Sequence, residues 1–397
     1  MSKADIKSIE QKLEQLSAFD GIVLAVWGMK PNYNKEKFVV NSKIVSTKES
    51  AIKSKDNGGE DKSTENAGGV YATGANTKVT LASDITTLSP APTSELVNIK
   101  IVGAEIVNSK GEGIKEYAGF GLFAENGAEI STAGITLANG PKIEVESGSV
   151  ALASVGTNSK VTVDKGTVTY DGKGYALYSK DNGKINLTNG KLILKGESTG
   201  FSVDYTAATQ PINLMGTQVD IDSDDAILMS VKNVTSLGTT GMGTALLSKV
   251  GLTPASIGGT GTRYKFAVLD GATINVDGNI DKADTTSTSD SYIFTRRIQL
   301  QNTNINVLSG NTVKAHLNTT ELASINPDLS VPVGLDVSAS GNSTSRATTG
   351  VNVANGATIT VDRTDSGNGG VGAYVNYGTI SNDGKIDVEK TTPNDFA

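Results

Sequence analysis

A single histidine, His316, stands in a chain of 397 residues that contains no cysteine. Multi-histidine metal sites of the HExxH type are thereby excluded, and Cys-based zinc sites and thiolate nucleophiles go with them. At most one Ser-His-Asp arrangement remains, and no serine lies in a recognisable nucleophile elbow. His316 therefore reads as a surface or turn histidine. The densest run of carboxylates, Asp220, Asp222, Asp224 and Asp225, opens like a calcium loop. Its sixth position is Asp225 where an EF-hand needs Gly, and its twelfth is Val231 where the bidentate Glu belongs. Val219 and Ile221 alternate with Asp220 and Asp222, which assigns these carboxylates to the solvent face of a strand. Gly367 to Gly372 matches G-x-G-x-x-G, but Ala373 to Ile380 after it reads as strand, not as the helix that would receive a phosphate. No metal ligand set and no cofactor is expected.

Aromatic and arginine side chains meet at Tyr292, Phe294, Arg296 and Arg297, next to a loop that ends at Ser291. Tyr, Phe and Arg are favoured anchors in binding hot spots, so these four are the candidate binding residues. The alternative is that Tyr292 and Phe294 alternate as half core and half surface of a strand. The acidic residues keep an enzyme reading open, since β-helical polysaccharide hydrolases and lyases mount acids with Arg or Lys in an external groove.

The elements that must position these residues are limited by composition. Only 37% of the chain is hydrophobic and 5% aromatic, which argues against one large aromatic core. Gly is frequent at 45 residues and Pro scarce at 9, a balance that suits many short strands joined by turns. Acidic residues (42) outnumber basic ones (35) for a net charge of −7, and arginine is confined to Arg263, Arg296, Arg297, Arg346 and Arg363. Nucleic-acid binding through phosphates is disfavoured. The absence of cysteine is common in large proteins exported unfolded across an outer membrane. No apolar run is long enough for a membrane helix, and the N-terminus has no basic segment followed by an apolar stretch.

From Ser2 to Leu16, Ile6, Ile9, Leu13 and Leu16 form one apolar stripe, which predicts a short amphipathic helix capping a sheet stack. A first strand is expected within Phe19 to Trp27, and a polar, glycine-bearing loop over 54–69. Beyond it a unit recurs: a turn with Asn or Asp and Gly, one polar residue, then apolar, polar, apolar. Copies are Gly183 to Leu187, Gly190 to Leu194, Gly356 to Val361 and Gly384 to Val388, with variants at Lys142 to Val145, Lys160 to Val163 and Gly271 to Val276. A companion element, glycine followed by alternating apolar and small residues, occurs at Gly69 to Ala72, Gly121 to Ala124, Gly174 to Ser179 and Gly372 to Val375. Taking Ile143, Val161 and Ile185 as successive copies gives spacings of 18 and 24 residues. That suits a right-handed parallel β-helix of three short strands per coil, with about 22 residues per coil and about 16 coils in a rod of about 75 Å. The expected organisation is an N-terminal helix and first strands over 1–53, a loop over 54–69, and coils over 70–397. Surface insertions at 229–270, 281–291 and 338–350 interrupt the coils, with a short helix at Gly243 to Gly251.

Three segments, GVYATGANTKVTLASD (69–84), GYALYSKDNGKINLTNG (174–190) and GAYVNYGTISNDGKIDV (372–388), resemble passenger repeats of large bacterial autotransporters, in particular fusobacterial outer-membrane adhesins. The resemblance covers roughly residues 69 to 390. It implies a β-helical passenger displayed at the cell surface and joined to a C-terminal membrane barrel that is absent from this chain. It also implies attachment to host cells or other bacteria and offers no catalytic motif. The expected function is thus that of a non-catalytic, monomeric adhesin passenger presenting loops to a protein or glycan receptor. A polysaccharide-acting β-helix enzyme and a structural, phage-fibre-like stalk are the alternatives.

Overall fold

Alternating β-branched and polar residues suit a pleated surface with one buried face, and each glycine-led motif forms a strand. The computed structural model describes residues 22–27, 37–40, 43–47, 54–55, 61–62, 67–75, 77–81, 98–102, 104–106, 116–134, 136–146, 150–234, 236–262, 264–281, 298–317, 333–338, 349–363 and 370–390. These residues are almost entirely parallel β-sheet, with one α-helix, Met242–Ser248, among them. The expected N-terminal helix over Ser2 to Leu16 lies outside the described residues. The chain divides into two compact units, Met1–Phe201 with Pro211–Asp222 and Ser256–Thr260, and Ser202–Gln210 with Ser223–Ala255 and Gly261–Ala397.

In the first unit the chain visits three parallel sheets in rotation. The first sheet contains Ile22–Trp27, Ala67–Thr73, Glu116–Glu125, Val150–Val155, Gly174–Lys180 and the start of Ser198–Asp204. The second contains Lys37–Val40, Lys78–Leu81, Glu129–Ala133, Lys160–Asp164, Lys184–Thr188 and Ile212–Asn213. The third contains Lys43–Thr47, Asn98–Val102, Lys142–Glu146, Thr167–Asp171, Lys191–Lys195, Gln218–Ile221 and Ile257–Gly258. One strand from each sheet makes a coil, so the unit is a parallel β-helix of six complete coils. Within the segment expected to be a polar loop, Ser54–Lys55 pairs antiparallel with Asp61–Lys62, and the strand Ala67–Thr73 already begins.

Register aligns apolar residues into continuous columns. In the second sheet Val79, Ile130, Val161, Ile185 and Ile212 stack in order, and in the third Ile99, Ile143, Val168, Leu192 and Val219. All ten are buried. This corrects the repeat inferred from sequence: Ile143 pairs with Val168 in the third sheet, whereas Val161 pairs with Ile185 in the second. The same motif serves two sheets, because both present an identical inward alternation. A coil is therefore longer than 22 residues, and the described residues hold six complete coils in this unit and four in the other instead of 16.

Corners and bends follow local chemistry. Asn126 (φ 53°) and Gly127 (φ 86°) turn the chain from first sheet to second through left-handed conformations that Asn and Gly tolerate. The Gly127 N–H donates to Ser159 Oγ at 2.8 Å, and that hydroxyl donates to the Val155 carbonyl at 2.7 Å. The first-sheet strands carry two consecutive buried residues, such as Gly121 and Leu122, where period-two alternation breaks and the strand bends. A Cβ at Gly121 would lie 2.6 Å from the Ala151 carbonyl oxygen and 2.7 Å from Ile143 Cγ2, and one at Gly69 2.4 Å from the Gly121 carbonyl oxygen, so these two positions require Gly, while Ala151 and Ala176 continue the same column with the smallest side chain.

In the second unit the first sheet contains Ile227–Lys232, Lys265–Asp270, Ile298–Gln301, Val333–Ser338 and Val371–Asn376. The second contains Leu237–Gly238, Thr273–Val276, Asn304–Val307, Gly350–Val353 and Thr379–Asn382, and the third Ile280–Asp281, Thr312–Leu317, Thr358–Arg363 and Lys385–Lys390. Ile274, Ile305 and Val351 form a buried column. The opposite face is tied by an asparagine ladder: Asn306 Nδ2 donates to Asn275 Oδ1 (3.0 Å), and Asn352 Nδ2 to Asn306 Oδ1 (2.9 Å).

The interruption expected at 229–270 is narrower. Ile227–Lys232 and Lys265–Asp270 pair in parallel, Met229 with Ala267 and Val231 with Leu269. The consecutive buried pairs Leu228-Met229 and Phe266-Ala267 break the alternation by which sequence reading recognises a strand. Between them Leu237–Gly238 joins the second sheet and Ile257–Gly258 the third, so the excursion is confined to 239–256. It contains the expected helix, whose Met242, Leu246 and Leu247 are buried. Of the other insertions, 282–297 and 339–348 lie outside the described residues.

Two measurements check this packing. Thr132 sits in the buried column Leu81, Thr132, Val163, Leu187, and its hydroxyl has no hydrogen-bond partner. Replacing Thr132 by Val removes a desolvated hydroxyl at nearly constant shape and is expected to raise unfolding free energy by about 1 kcal/mol in denaturant titration. In the last described coil, Ile380 and Val388 are 50% and 49% exposed, while their partners one coil earlier, Val351 and Val361, are 0% and 1%. Ile359→Ala, in the covered coil, should cost about 2–5 kcal/mol, and Val388→Ala well under half of that. Equal losses would show that the last coil is covered.

Candidate functional site

The bend in the first sheet has a chemical consequence on its outer face. Because Gly121 and Leu122 both turn inward, Phe120 and Phe123 on either side of them both turn outward. Tyr71, in register with Phe123 one coil earlier, joins them. Ring centroids lie 6.4 Å apart for Tyr71 and Phe120, 5.5 Å for Tyr71 and Phe123, and 5.8 Å for Phe120 and Phe123, all edge-to-face. The same column continues through Ala153 to Tyr178, whose ring stands 6.1 Å from that of Tyr175. Ala153, 2% exposed, separates the Tyr71–Phe120–Phe123 cluster from the Tyr175–Tyr178 pair, so the strip spans four coils with one coil that carries no aromatic ring.

Polar groups border the strip. The Tyr71 hydroxyl donates to Glu125 Oε1, and Asn126 Nδ2 donates to Thr73 Oγ1 (3.0 Å) and to Glu125 Oε1 (3.3 Å). Glu125 Oε2 accepts no hydrogen bond among the described residues. Burial, reinforced by the hydrogen bond and the negative charge of Glu125, raises the Tyr71 phenol from 10.0 to about 12.

The sequence-derived candidates fare differently. Tyr292, Phe294, Arg296 and Arg297 lie outside the described residues. His316 is in the strand Thr312–Leu317, in register with Asp362, and not in a turn. Three of the four carboxylates of the acidic run are used as structure, and Asp225 is exposed. Asp220 pairs with Lys191, Asp222 accepts the N–H (3.0 Å) and hydroxyl of Thr260, and Asp224 accepts the N–H of Thr262 (2.7 Å). Glu144 and Glu146 share Lys100 at 3.7 and 2.8 Å, and its hydrogen bond holds the Glu146 carboxyl below its ordinary range. Among the described residues no group of three or more His, Cys, Asp or Glu is placed to hold a metal ion. Val371–Asn376, after the G-x-G-x-x-G match, is a strand.

The excursion 239–256 is anchored by Asp277. Thr240 donates its N–H (3.0 Å) and Thr239 its hydroxyl (3.2 Å) to Asp277 Oδ1. Burial opposes the Asp277 carboxylate, but the donors from Thr240 and Thr239 outweigh it and the net shift is downward. Leu246, Leu247, Val250 and Leu252 are buried, so this segment is a packed subdomain element more than a free loop.

Sequence reading missed the strip, although its aromatic residues sit in or beside companion elements. Aligning those elements on their leading glycines pairs Tyr71 with Phe123 but puts Ala176 where the structure has Tyr178, and Ala153 belongs to none of them. The unequal chain lengths between them concealed the register.

The fold defines an all-β protein of the parallel β-helix class. No family model, no curated protein and no solved structure matches the chain.

The Tyr71–Glu125 contact predicts a pH dependence. A phenol raised from 10.0 to about 12 in the folded state contributes stability that is complete below pH 10 and lost as pH rises through 12. Alkaline titration of tyrosinate absorbance should show a late phase to which Tyr71 contributes, and Tyr71→Phe should reduce the amplitude of that phase by one phenol. A late phase that the substitution leaves undiminished assigns the shift to another tyrosine.

Proposed function

We propose that this chain is a non-catalytic attachment segment, a passenger of the autotransporter type carried at a bacterial surface, that binds host cells or other bacteria. The observation supporting the reading is the use of outward polar side chains. Among the described residues Asn275, Asn306 and Asn352 form a ladder and several carboxylates pair with lysines or hold turns, while the aromatic strip stands on the outer face of the first unit with Tyr178 exposed. A scaffold that commits many of its polar groups to its own coils and carries aromatic rings on its outer face suits adhesion better than acid–base chemistry. The resemblance of segments 69–84, 174–190 and 372–388 to autotransporter passenger repeats points the same way. On this reading the chain acts as a monomer, its receptor is a cell-surface protein or glycan, and membrane attachment comes from a barrel outside this sequence.

The test is binding of the purified, fluorescently labelled chain to epithelial cells and to partner bacteria, with an unrelated β-helix as control. Saturable binding above the control is the expected result. No binding to either would reject attachment by this segment and favour a stalk, and release of sugar products from polysaccharide would establish an enzyme instead.

A further inference from the structure

The aromatic strip of the first unit narrows the chemistry of the ligand, an inference that rests on the attachment reading. Phe123 and Tyr178 occupy one column two strand spacings apart, about 9.6 Å, with Ala153 between them. Tyr71 precedes them in the same column, and Phe120 and Tyr175 widen the surface on one side. On the other side, two positions further along the strands, stand Thr73, Glu125, Val155 and Lys180 in register. The result is an apolar lane one side chain wide with a hydrogen-bonding margin. Its exposed part is the Tyr178 ring, 38% accessible, whose hydroxyl has no partner among the described residues.

We infer that this lane binds a linear, neutral oligosaccharide of pyranose units. A pyranose ring has an apolar face of C–H bonds and an equatorial rim of hydroxyls. It therefore matches a surface that offers the exposed Tyr178 ring beside half-buried aromatic rings and, two positions further along the strands, the Glu125 carboxylate and the Lys180 ammonium. Glu125 supplies an acceptor in Oε2, while its Oε1 is already committed to Tyr71 and Asn126. Tyr71 thus positions the carboxylate without itself donating to ligand. A protein partner fits less well. A stable protein interface covers about 800 Å² on each side around a dry core of aromatic and Arg anchors, and this lane is narrow, edged by polar groups and without arginine. Polyanionic sugars are disfavoured by the chain's net charge of −7 and by the Glu125 carboxylate, against the single lysine, Lys180, of the margin.

The experiment uses the full chain on a printed array of neutral linear oligosaccharides of glucose, galactose and N-acetylhexosamine, with sialylated oligosaccharides on the same surface. Retention of a neutral group is expected, weakened about tenfold by Tyr178→Ala, which removes one stacking ring. Tyr178→Phe should keep most of the binding and Glu125→Gln should reduce it. Met215→Ala, at an exposed apolar residue outside the lane, should leave it unchanged. Thermal melts of each variant separate lost binding from lost fold. The inference is overturned if no neutral oligosaccharide is retained, if only sialylated ones are, or if a folded Tyr178→Ala chain binds as the parent does. Cell binding that survives Tyr178→Ala would leave attachment standing and remove the lane from it. Array binding without cell binding would do the reverse.

Discussion

A coil of three short strands cannot bury its own apolar residues, and the rest of this structure depends on that. Each inward side chain of Lys160–Asp164 is covered only because Glu129–Ala133 lies on one side and Lys184–Thr188 on the other, in matching register. A register slip of one residue would send Val161 and Val163 to solvent and Thr162 inward. Stability is therefore built from neighbour contacts, and its limit is visible where stacking stops. Ile380 and Val388 occupy inward positions yet remain half exposed, with no described coil beyond them.

The same constraint explains where polar chemistry goes. Outward residues repeat at the strand spacing, so side chains of adjacent coils meet and satisfy each other. Asn275, Asn306 and Asn352 form amide ladders, Lys100 spans two glutamates, and the corner aspartates Asp222 and Asp224 hold threonines. Residues that look catalytic or metal-binding in sequence are consumed by this lateral bonding. What a stacked coil cannot satisfy laterally is a large aromatic side chain on its outer face. The bend at Gly121 gathers three of these at one place.

The excursion 239–256 shows a second way of departing from the coil. Its helix buries Met242, Leu246 and Leu247, and Asp277 accepts hydrogen bonds from Thr239 and Thr240 just before the helix begins. An insertion held by an apolar face and a buffered carboxylate is part of the scaffold. Its length in the sequence says nothing of how firmly it is held.

The fold class, the strands and their inward faces were legible in the sequence, because period-two alternation between turn residues records directly which side of a strand is buried. The glycine-led motifs at Gly183, Gly190, Gly356 and Gly384 all proved to be strands, and the helix near Gly243 was marked by its own composition. Which sheet a strand joins was not legible, since Ile143 and Val161 carry the same local pattern and are sorted only by the coil they close. The aromatic lane was hidden for a related reason. Tyr71, Phe123 and Tyr178 are far apart in sequence, and only parallel register, set by burial of columns several coils long, places them side by side. Local alternation is a property of a few residues, whereas register is decided by the whole stack.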